Sequence, residues 1–248
     1  MIFGIVNNFI LAFLIFFMVF LFRGAPSQST KILAVEKNSP AYHAGLMKND
    51  TIVGINFDKI STQDDINLIM FLNKKEKLTF VVKRNEKIEF VSVTPEKIKE
   101  KINGKEQERY RYGISLNAEK ETGFLNAIKN SYLKIKSNVK SMIKVFELLF
   151  NGKLGIDAFS GPVGIYNVVK DQGKANGFLG LVVLTAILNI NVGFLNLLPI
   201  PIFDGGKIFF LLIEKIFNKK VNPKVELTLS LIFVVLLIIF TIYITGVD

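Results

Sequence analysis

The strongest constraint on this chain is a pair of charge-free apolar runs near its two ends. Residues 1–22 read MIFGIVNNFILAFLIFFMVFLF, interrupted only by Gly4, Asn7 and Asn8, and residues 227–244 carry no charge at all. At 1.5 Å per residue, such runs as helices cross a hydrocarbon core of about 30 Å. No Lys or Arg precedes Arg23 and no convincing small-x-small cleavage site follows it, so a retained membrane helix fits better than a signal peptide. Half of the 248 residues are hydrophobic while 21% are charged, so the two kinds are segregated along the chain. The expected class is α+β: a polytopic helical membrane protein with three spans and an inserted strand-rich domain.

Composition also removes chemistries. Without cysteine there is no disulfide scaffold, no thiolate zinc site and no thiol nucleophile. A single histidine, His43, excludes any site that takes two imidazoles from these residues. The net charge of +10 suits lysines facing anionic lipid. No arginine stripe interleaved with aromatics accompanies it, so nucleic acid is not an expected partner.

Between the apolar ends the texture changes. Residues 1–23 form the first span, and 27–97 carry short alternating runs: KILAVE (31–36), TIVGIN (51–56), LTFVVKR (78–84) and IEFVSV (88–93). Asn38, Asn49-Asp50 and Asn85 punctuate them as turns. Ser39 and Pro40 open a short helix as N-cap and first-turn proline, and Asp64 and Asp65 sit in the first turn of a helix over 62–72. Residues 98–121 are expected to be a charged linker. Residues 122–176 hold an amphipathic helix and the segment after it. Phe124, Ile128, Tyr132, Ile135, Val139, Met142, Phe146 and Leu149 share one face of that helix, and Lys129, Lys134, Lys136, Lys140 and Lys144 share the rest. With spans on either side, this helix is expected at the membrane interface.

A further membrane segment occupies 177–217, and 218–248 carry the end of a loop and the last span. Lys215, Lys219, Lys220 and Lys224 cluster before that span and nothing basic follows it. The positive-inside rule places this loop in the cytoplasm, and the C-terminus and strand-rich domain outside.

Asp204 is the first candidate for chemistry. A carboxylate in an apolar helical segment costs a few kcal/mol, about 2.5–3.5 on insertion scales, unless it is paired or holds a cation. Pro199 and Pro201 break the helix before it, and Gly205 and Gly206 after it admit close approach of another backbone or a ligand. Capping of the following helix explains the same aspartate equally well. Asn189 and Asn196, seven residues apart, share a helix face. They are suited either to joining helices or to holding a substrate backbone. His43 reads as a packing or surface residue, and nothing orients Ser160 and Lys170 as a hydrolase pair.

Taken together, these motifs resemble one family. FLNLLPIPIFDGG (194–206) is similar to the NLLPIPxLDGG signature of site-2 intramembrane zinc metalloproteases, the RseP-like enzymes of bacteria. FSGPVGI (159–165) resembles their SGPVGI stretch, and GIVNNF (4–9) the GPxxNF that opens their second membrane helix. SPAYHAGLMKND (39–50) is similar to the PDZ-domain pattern SPAxxAGLxxGD, matched at Ser39, Pro40, Ala41, Ala44, Gly45, Leu46 and Asp50. Phe203, Lys207, Asn49 and Ile5 depart from these patterns without removing a ligand.

The resemblance implies that Asp204 is a zinc ligand and that Asn196 supports substrate or transition state. It also implies that the two histidines and the glutamate of HExxH belong to a helix absent from these residues, which leaves the zinc site incomplete. The implied activity is regulated intramembrane proteolysis of a single-pass membrane protein in a bacterial inner membrane. The PDZ domain would take an extracytoplasmic peptide, and the missing helix would come from the same gene or a partner chain. The alternative is a non-catalytic, membrane-anchored PDZ adaptor.

Overall fold

The computed structural model describes residues 2–73, 75–102, 105–116, 119–152, 154–155 and 162–247. It contains two compact units: Gly24–Asn126, and a helical unit of Met1–Arg23 with Ala127–Asp248. The first helix, α1 (Ile2–Arg23), belongs to the helical unit. Ile5, Ala12, Phe16 and Phe20 repeat at helical spacing along one side of it and are 0–6% exposed. The rings of Phe16 and Phe20 stack at 5.6 Å.

The strand-rich unit follows in sequence. A small antiparallel pair joins β1 (Ala25–Pro26) to β10 (Lys120–Glu121), so the unit's first and last strands lie side by side. Another joins β2 (Ile32–Val35) to β9 (Ile114–Leu116). Four further strands, β3 (Thr51–Ile55), β4 (Asp58–Lys59), β5 (Leu78–Arg84) and β6 (Lys87–Val93), form an antiparallel sheet in the order β4-β3-β5-β6. The β5–β6 turn places Asn85 and Glu86 at φ 45° and 69°, which suits a tight hairpin.

Two helices belong to this unit. Of these, α2 (Pro40–Ala44) opens on Ser39, whose hydroxyl accepts a hydrogen bond from the Tyr42 N–H, and ends at Gly45 with φ 91°. Between β4 and β5 lies α3 (Gln63–Leu72). Its N-cap Thr62 exchanges hydrogen bonds with Asp65, a reciprocal box in which Asp65 satisfies the Thr62 and Ser61 amides. Ile32, Ile52, Ile55, Ile66, Leu78, Phe80, Val82 and Val93 fill the core, each completely buried. Apolar alternation therefore carries this fold, at about 1.5–3 kcal/mol for each large side chain removed from water.

Within 98–121, expected to be a charged linker, the described residues form strands. A hairpin of β7 (Glu96–Ile102) and β8 (Lys105–Arg111) sets Lys99 against Glu108 and Glu96 against Arg111, and Lys97 pairs with Glu108. Opposite charges thus meet across the strands, which is what a solvated two-stranded ribbon requires. The sequence signal was Asn103-Gly104, the strongest short-range hairpin dipeptide. Net polarity masked it. Beyond the hairpin, β9 and β10 close the unit, and Tyr112, between β8 and β9, is 2% exposed in the core.

The remaining helices belong with α1. They are α4 (Phe124–Phe150), α5 (Pro162–Leu197), α6 (Asp204–Phe217) and α7 (Pro223–Val247). Three segments, Phe3–Arg23, Gly164–Leu197 and Pro223–Gly246, are long and apolar enough to cross a membrane, and the chain is an integral membrane protein. Within α5, Gly177 (φ 59°, ψ −152°) separates a polar first part from the apolar second part.

The amphipathic helix α4 buries a different side from the one its periodicity suggests. Its buried residues are Ala127, Asn130, Ser131 and Ser137, whereas Phe124 and Tyr132 are 59% and 60% exposed. In lipid an apolar face gains nothing by leaving its surroundings, while small residues let helices approach closely. The side chains of Ser131 and Ser141 hydrogen-bond back to their own helix, on Ala127 and Ser137 carbonyls.

Candidate metal centre

Packing of α1 against α5 sets the frame. Ala186 and Ile190 are completely buried and Phe194 nearly so. Between them, a Cβ on Gly193 would lie 3.1 Å from the Phe9 ring and 3.3 Å from the Asn8 Cβ. Glycine is therefore the residue that lets these helices meet.

Beyond Leu197 the chain turns abruptly. Pro199 and Pro201 lack the N–H that a continuing helix would use. In place of helix, Leu198 donates to the Leu195 carbonyl, Ile200 to Leu198 and Phe203 to Ile200. The Ser230 hydroxyl of α7 reaches the Pro201 carbonyl at 3.3 Å. The turn is tight enough that α6 starts against it. A Cβ on Gly205 would stand 2.5 Å from both the Leu197 and Leu198 carbonyl oxygens, and one on Gly206 would overlap the Ile200 carbonyl. Both glycines are buried and serve this backbone-on-backbone contact.

Asp204 is delivered by that turn as the first residue of α6. The preceding N-cap, Phe203, makes no side-chain capping bond. Asp204 is half-buried, and among the described residues no hydrogen bond or ion pair reaches its carboxylate. Its Oδ2 instead lies over α1, 3.5 Å from where a Gly4 Cβ would stand. The side chain is thus directed at a neighbouring helix at a position with no side chain of its own.

The asparagines divide. Asn189 turns its amide onto the Thr185 carbonyl of its own helix at 2.8 Å. Asn196 is half-buried, three residues beyond Gly193 and eight before Asp204. Sequence reasoning named Asp204, Asn196 and the glycines, but gave no role to Gly4, Asn8 or Ser230, whose relevance comes from α1 and α7 packing near the turn. Of the SGPVGI stretch, residues 159–161 lie outside the described residues.

As a metal site this inventory is partial. Zinc takes four ligands, at least three of them from protein. Among the described residues no three His, Cys, Asp or Glu side chains gather within reach of one ion. His43 belongs to the strand-rich unit, in α2. The donor set present here therefore does not amount to a zinc site, and Asp204 offers one oxygen ligand towards one.

In the strand-rich unit the SPAYHAGLMKND residues have structural tasks. Ser39 and Pro40 start α2, Ala41 is completely buried, Ala44 packs against the core, Gly45 ends the helix and Leu46 enters the core. Asn49 adopts φ 75°, the left-handed conformation asparagine tolerates. Asp50 is 1% exposed and receives Arg84 in bidentate fashion, at 2.7 and 2.6 Å, together with the Met47 N–H at 2.9 Å. Burial pushes its carboxyl up, but the Arg84 hydrogen bonds, the Met47 amide and the guanidinium charge outweigh this and hold it below the usual carboxylate range. Arg84 also reaches the Gly45 carbonyl at 2.8 Å and Glu89 at 2.7 Å. Sequence reasoning did not find it.

The same unit has a groove of about 420 Å³ lined by Met70 of α3, Ile98, Arg109, Tyr110 and residues Tyr112 to Ser115. Among the described residues its strand, β9, pairs with β2 alone.

The helical unit thus combines membrane-spanning helices with an aspartate delivered by a proline-broken turn. The chain belongs to peptidase family M50, the site-2 proteases, whose family model matches residues 1–240. It is 35% identical over 245 residues to the regulator of sigma-W protease RasP of Bacillus subtilis (strain 168), covering 99% of this chain and 57% of RasP. It is 34% identical over 252 residues to a Staphylococcus aureus (strain MSSA476) protein bearing the name zinc metalloprotease SAS1196, again 99% of this chain and 57% of the relative. With the Enterococcus faecalis protein named protease eep it shares 38% identity over 232 residues, 92% of this chain and 53% of eep. The chain thus spans little more than half the length of these relatives.

Proposed function

We propose that this chain belongs to a membrane-embedded zinc metalloendopeptidase, acting in a bacterial cytoplasmic membrane on single-pass membrane proteins. One observation carries this reading: the carboxylate of Asp204, half-buried in the helical unit, bonded to no group among the described residues and lying over α1 where Gly4 has no side chain. Capping alone does not account for it, because the aspartate makes no capping bond. A charge kept at depth without a partner is otherwise a net cost. Asp204 is the protein's oxygen ligand in this reading, Asn196 supports the bound backbone, and the imidazole ligands come from a helix outside this sequence.

The experiment is reconstitution. The chain is co-expressed with a membrane helix bearing HExxH, and zinc is measured on the purified complex. About one zinc per complex is expected, lost on Asp204→Ala. Zinc retained in Asp204→Ala, or absent with the helix present, would overturn the assignment.

A second reading, a peptide-binding adaptor, is favoured by the groove beside β9. An extended peptide can add to a strand paired on one side only, with Met70 of α3 and Tyr110 flanking it. We infer that the strand-rich unit is a PDZ-like reader of extracytoplasmic peptides, compatible with either role. Binding of fluorescent C-terminal peptides that survives Met70→Lys would count against this groove.

A further inference from the structure

The two ends of α4 are fixed at different depths. The chain leaves α1 at Arg23 and enters α4 at Phe124, and the strands between bring these two points together. Strand β1 pairs with β10 through Ala25 and Glu121, and a Cβ on Gly24 would lie 3.3 Å from the Thr122 Cγ2. Helix α4 therefore begins at the face of the membrane where α1 ends. Towards its other end, the ring of Phe146 stands 5.9 Å from that of Phe194 on α5. Next to Phe194, Gly193 faces the Phe9 ring of α1. From Phe9 to Arg23 is 14 residues, about 21 Å along α1. Helix α4 thus descends through about two-thirds of the hydrocarbon core, beside helices that cross it.

Its composition is not that of a helix immersed in lipid. Between Phe124 and Phe146 it carries Lys129, Lys134, Lys136, Lys140 and Lys144. A lysine near the end of a membrane helix escapes lipid by extending to the headgroups, but one in the middle of the descent does not. Lys129 is near the start, and Lys144 near the bottom is paired with Glu147 at 3.3 Å. Lys136 and Lys140 lie between. Lys136 is exposed, and among the described residues no ion pair or hydrogen bond reaches it. An exposed, unpaired ammonium at that depth is stable only where water surrounds it.

We infer that α4 lines a water-filled recess, which enters the membrane from the face where α1 ends and reaches the level of Phe194. Apolar periodicity alone would lay this helix on the membrane surface; the contact of Phe146 with Phe194 draws it inside. The recess stops at the level of Phe9, about 7.5 Å along α1 from Gly4, and Asp204 lies over Gly4. Water is the second reactant of peptide hydrolysis and hydrocarbon excludes it, so a protease working at this depth needs such a supply. The inference deepens the protease reading and rests on it only for the use made of the water.

The chain has no cysteine, so single cysteines report without background. Four variants are compared in lipid nanodiscs: Lys136→Cys, Lys140→Cys, Phe124→Cys at the start of α4, and Val235→Cys on the exposed surface of the spanning helix α7. The probe is a charged, membrane-impermeant methanethiosulfonate, which reacts with the thiolate. Lys136→Cys and Lys140→Cys are expected to react within about ten-fold of Phe124→Cys, as thiols in water do. Val235→Cys should be about a thousand-fold slower or more, because apolar burial raises the pKa of an acid by about 3–5 units. Depth is read separately. Phe146→Cys combined with Phe194→Cys should be joined by a short bis-maleimide. If Phe194→Cys disturbs the fold, a bimane on Phe146→Cys reads the same depth, with stronger quenching expected from nitroxides at mid-tail than at the headgroup. Fast labelling together with the link or the mid-tail quenching supports the recess. Lys136→Cys and Lys140→Cys as slow as Val235→Cys overturn it. Fast labelling with no link and with headgroup quenching also overturns it, because α4 then lies on the surface. Zinc in the reconstitution with slow labelling sinks the recess alone, and fast labelling at depth without zinc sinks the protease reading alone.

Discussion

Replacing Arg84 by methionine should be among the most damaging single changes in the strand-rich unit. The side chain of Asp50 is 1% exposed, and Arg84 supplies two of its three hydrogen bonds, leaving only the Met47 amide. The Gly45 carbonyl and Glu89 lose a donor as well. Removing one partner of a buried pair costs about 3–5 kcal/mol, because the other charge remains buried and uncompensated. Against a domain stability of about 5–15 kcal/mol, that is a large fraction. Hydrogen exchange at Ile52, Ile55, Phe80 and Val82, core residues of β3 and β5, reads the opening free energy of this unit alone in the intact chain. The sign with pH follows from the lowered Asp50 value. In the unsubstituted chain its contribution is fully present above the unfolded carboxylate range and is lost as pH falls through the folded value. In Arg84→Met the lowering influences of the guanidinium are gone and burial remains, so the deficit should be greatest near neutrality and shrink on acidification. Adding Asp50→Asn should recover part of it. A loss below about 1 kcal/mol, within the ordinary range for surface changes, would refute the reasoning.

Other expectations concern single contacts. Gly206→Ala forces a Cβ into the Ile200 carbonyl, so the turn must open; thermal aggregation in detergent should begin well below that of the unsubstituted chain, while Gly246→Ala, with open space around it, should not differ. Thr62→Ala removes the hydroxyl half of the α3 capping box and should cost about 1 kcal/mol, read as faster exchange of the Asp65 and Ile66 amides. Tyr112, whose phenol is pushed up to about 12 by burial and by the nearby Glu76, should ionise only around that pH in a 295 nm titration, and Tyr112→Phe should delete that step.

The glycines of the helical unit share one logic. Glycine at 4, 193, 205 and 206 removes side chains where backbones or polar groups must approach, and the polar groups are set at the edges of those gaps. In lipid, where apolar burial between helices contributes little, such close contacts are the main source of specific packing. The same residues that hold the helices together therefore determine where a carboxylate can be presented.

Much of this protein was decided by local pattern. Period-two alternation placed β2, β3, β5 and β6, because half-buried strands must alternate. Unbroken apolar length placed α1 and α7, because lipid accepts little else. Ser39 and Thr62 started their helices through hydroxyls that satisfy orphan amides nearby in sequence. What the residue string could not decide was anything set by partners distant along the chain. The hairpin of β7 and β8 depends on charge pairing across strands, and Arg84 finds Asp50 across 34 positions. The buried side of α4 is the small one, Ala127, Asn130, Ser131 and Ser137, which its apolar periodicity did not indicate. Most of all, Asp204 could be recognised from its neighbours as a cap or a ligand, but only the folding of α6 back towards α1 sets it over Gly4, with no hydrogen bond or ion pair among the described residues.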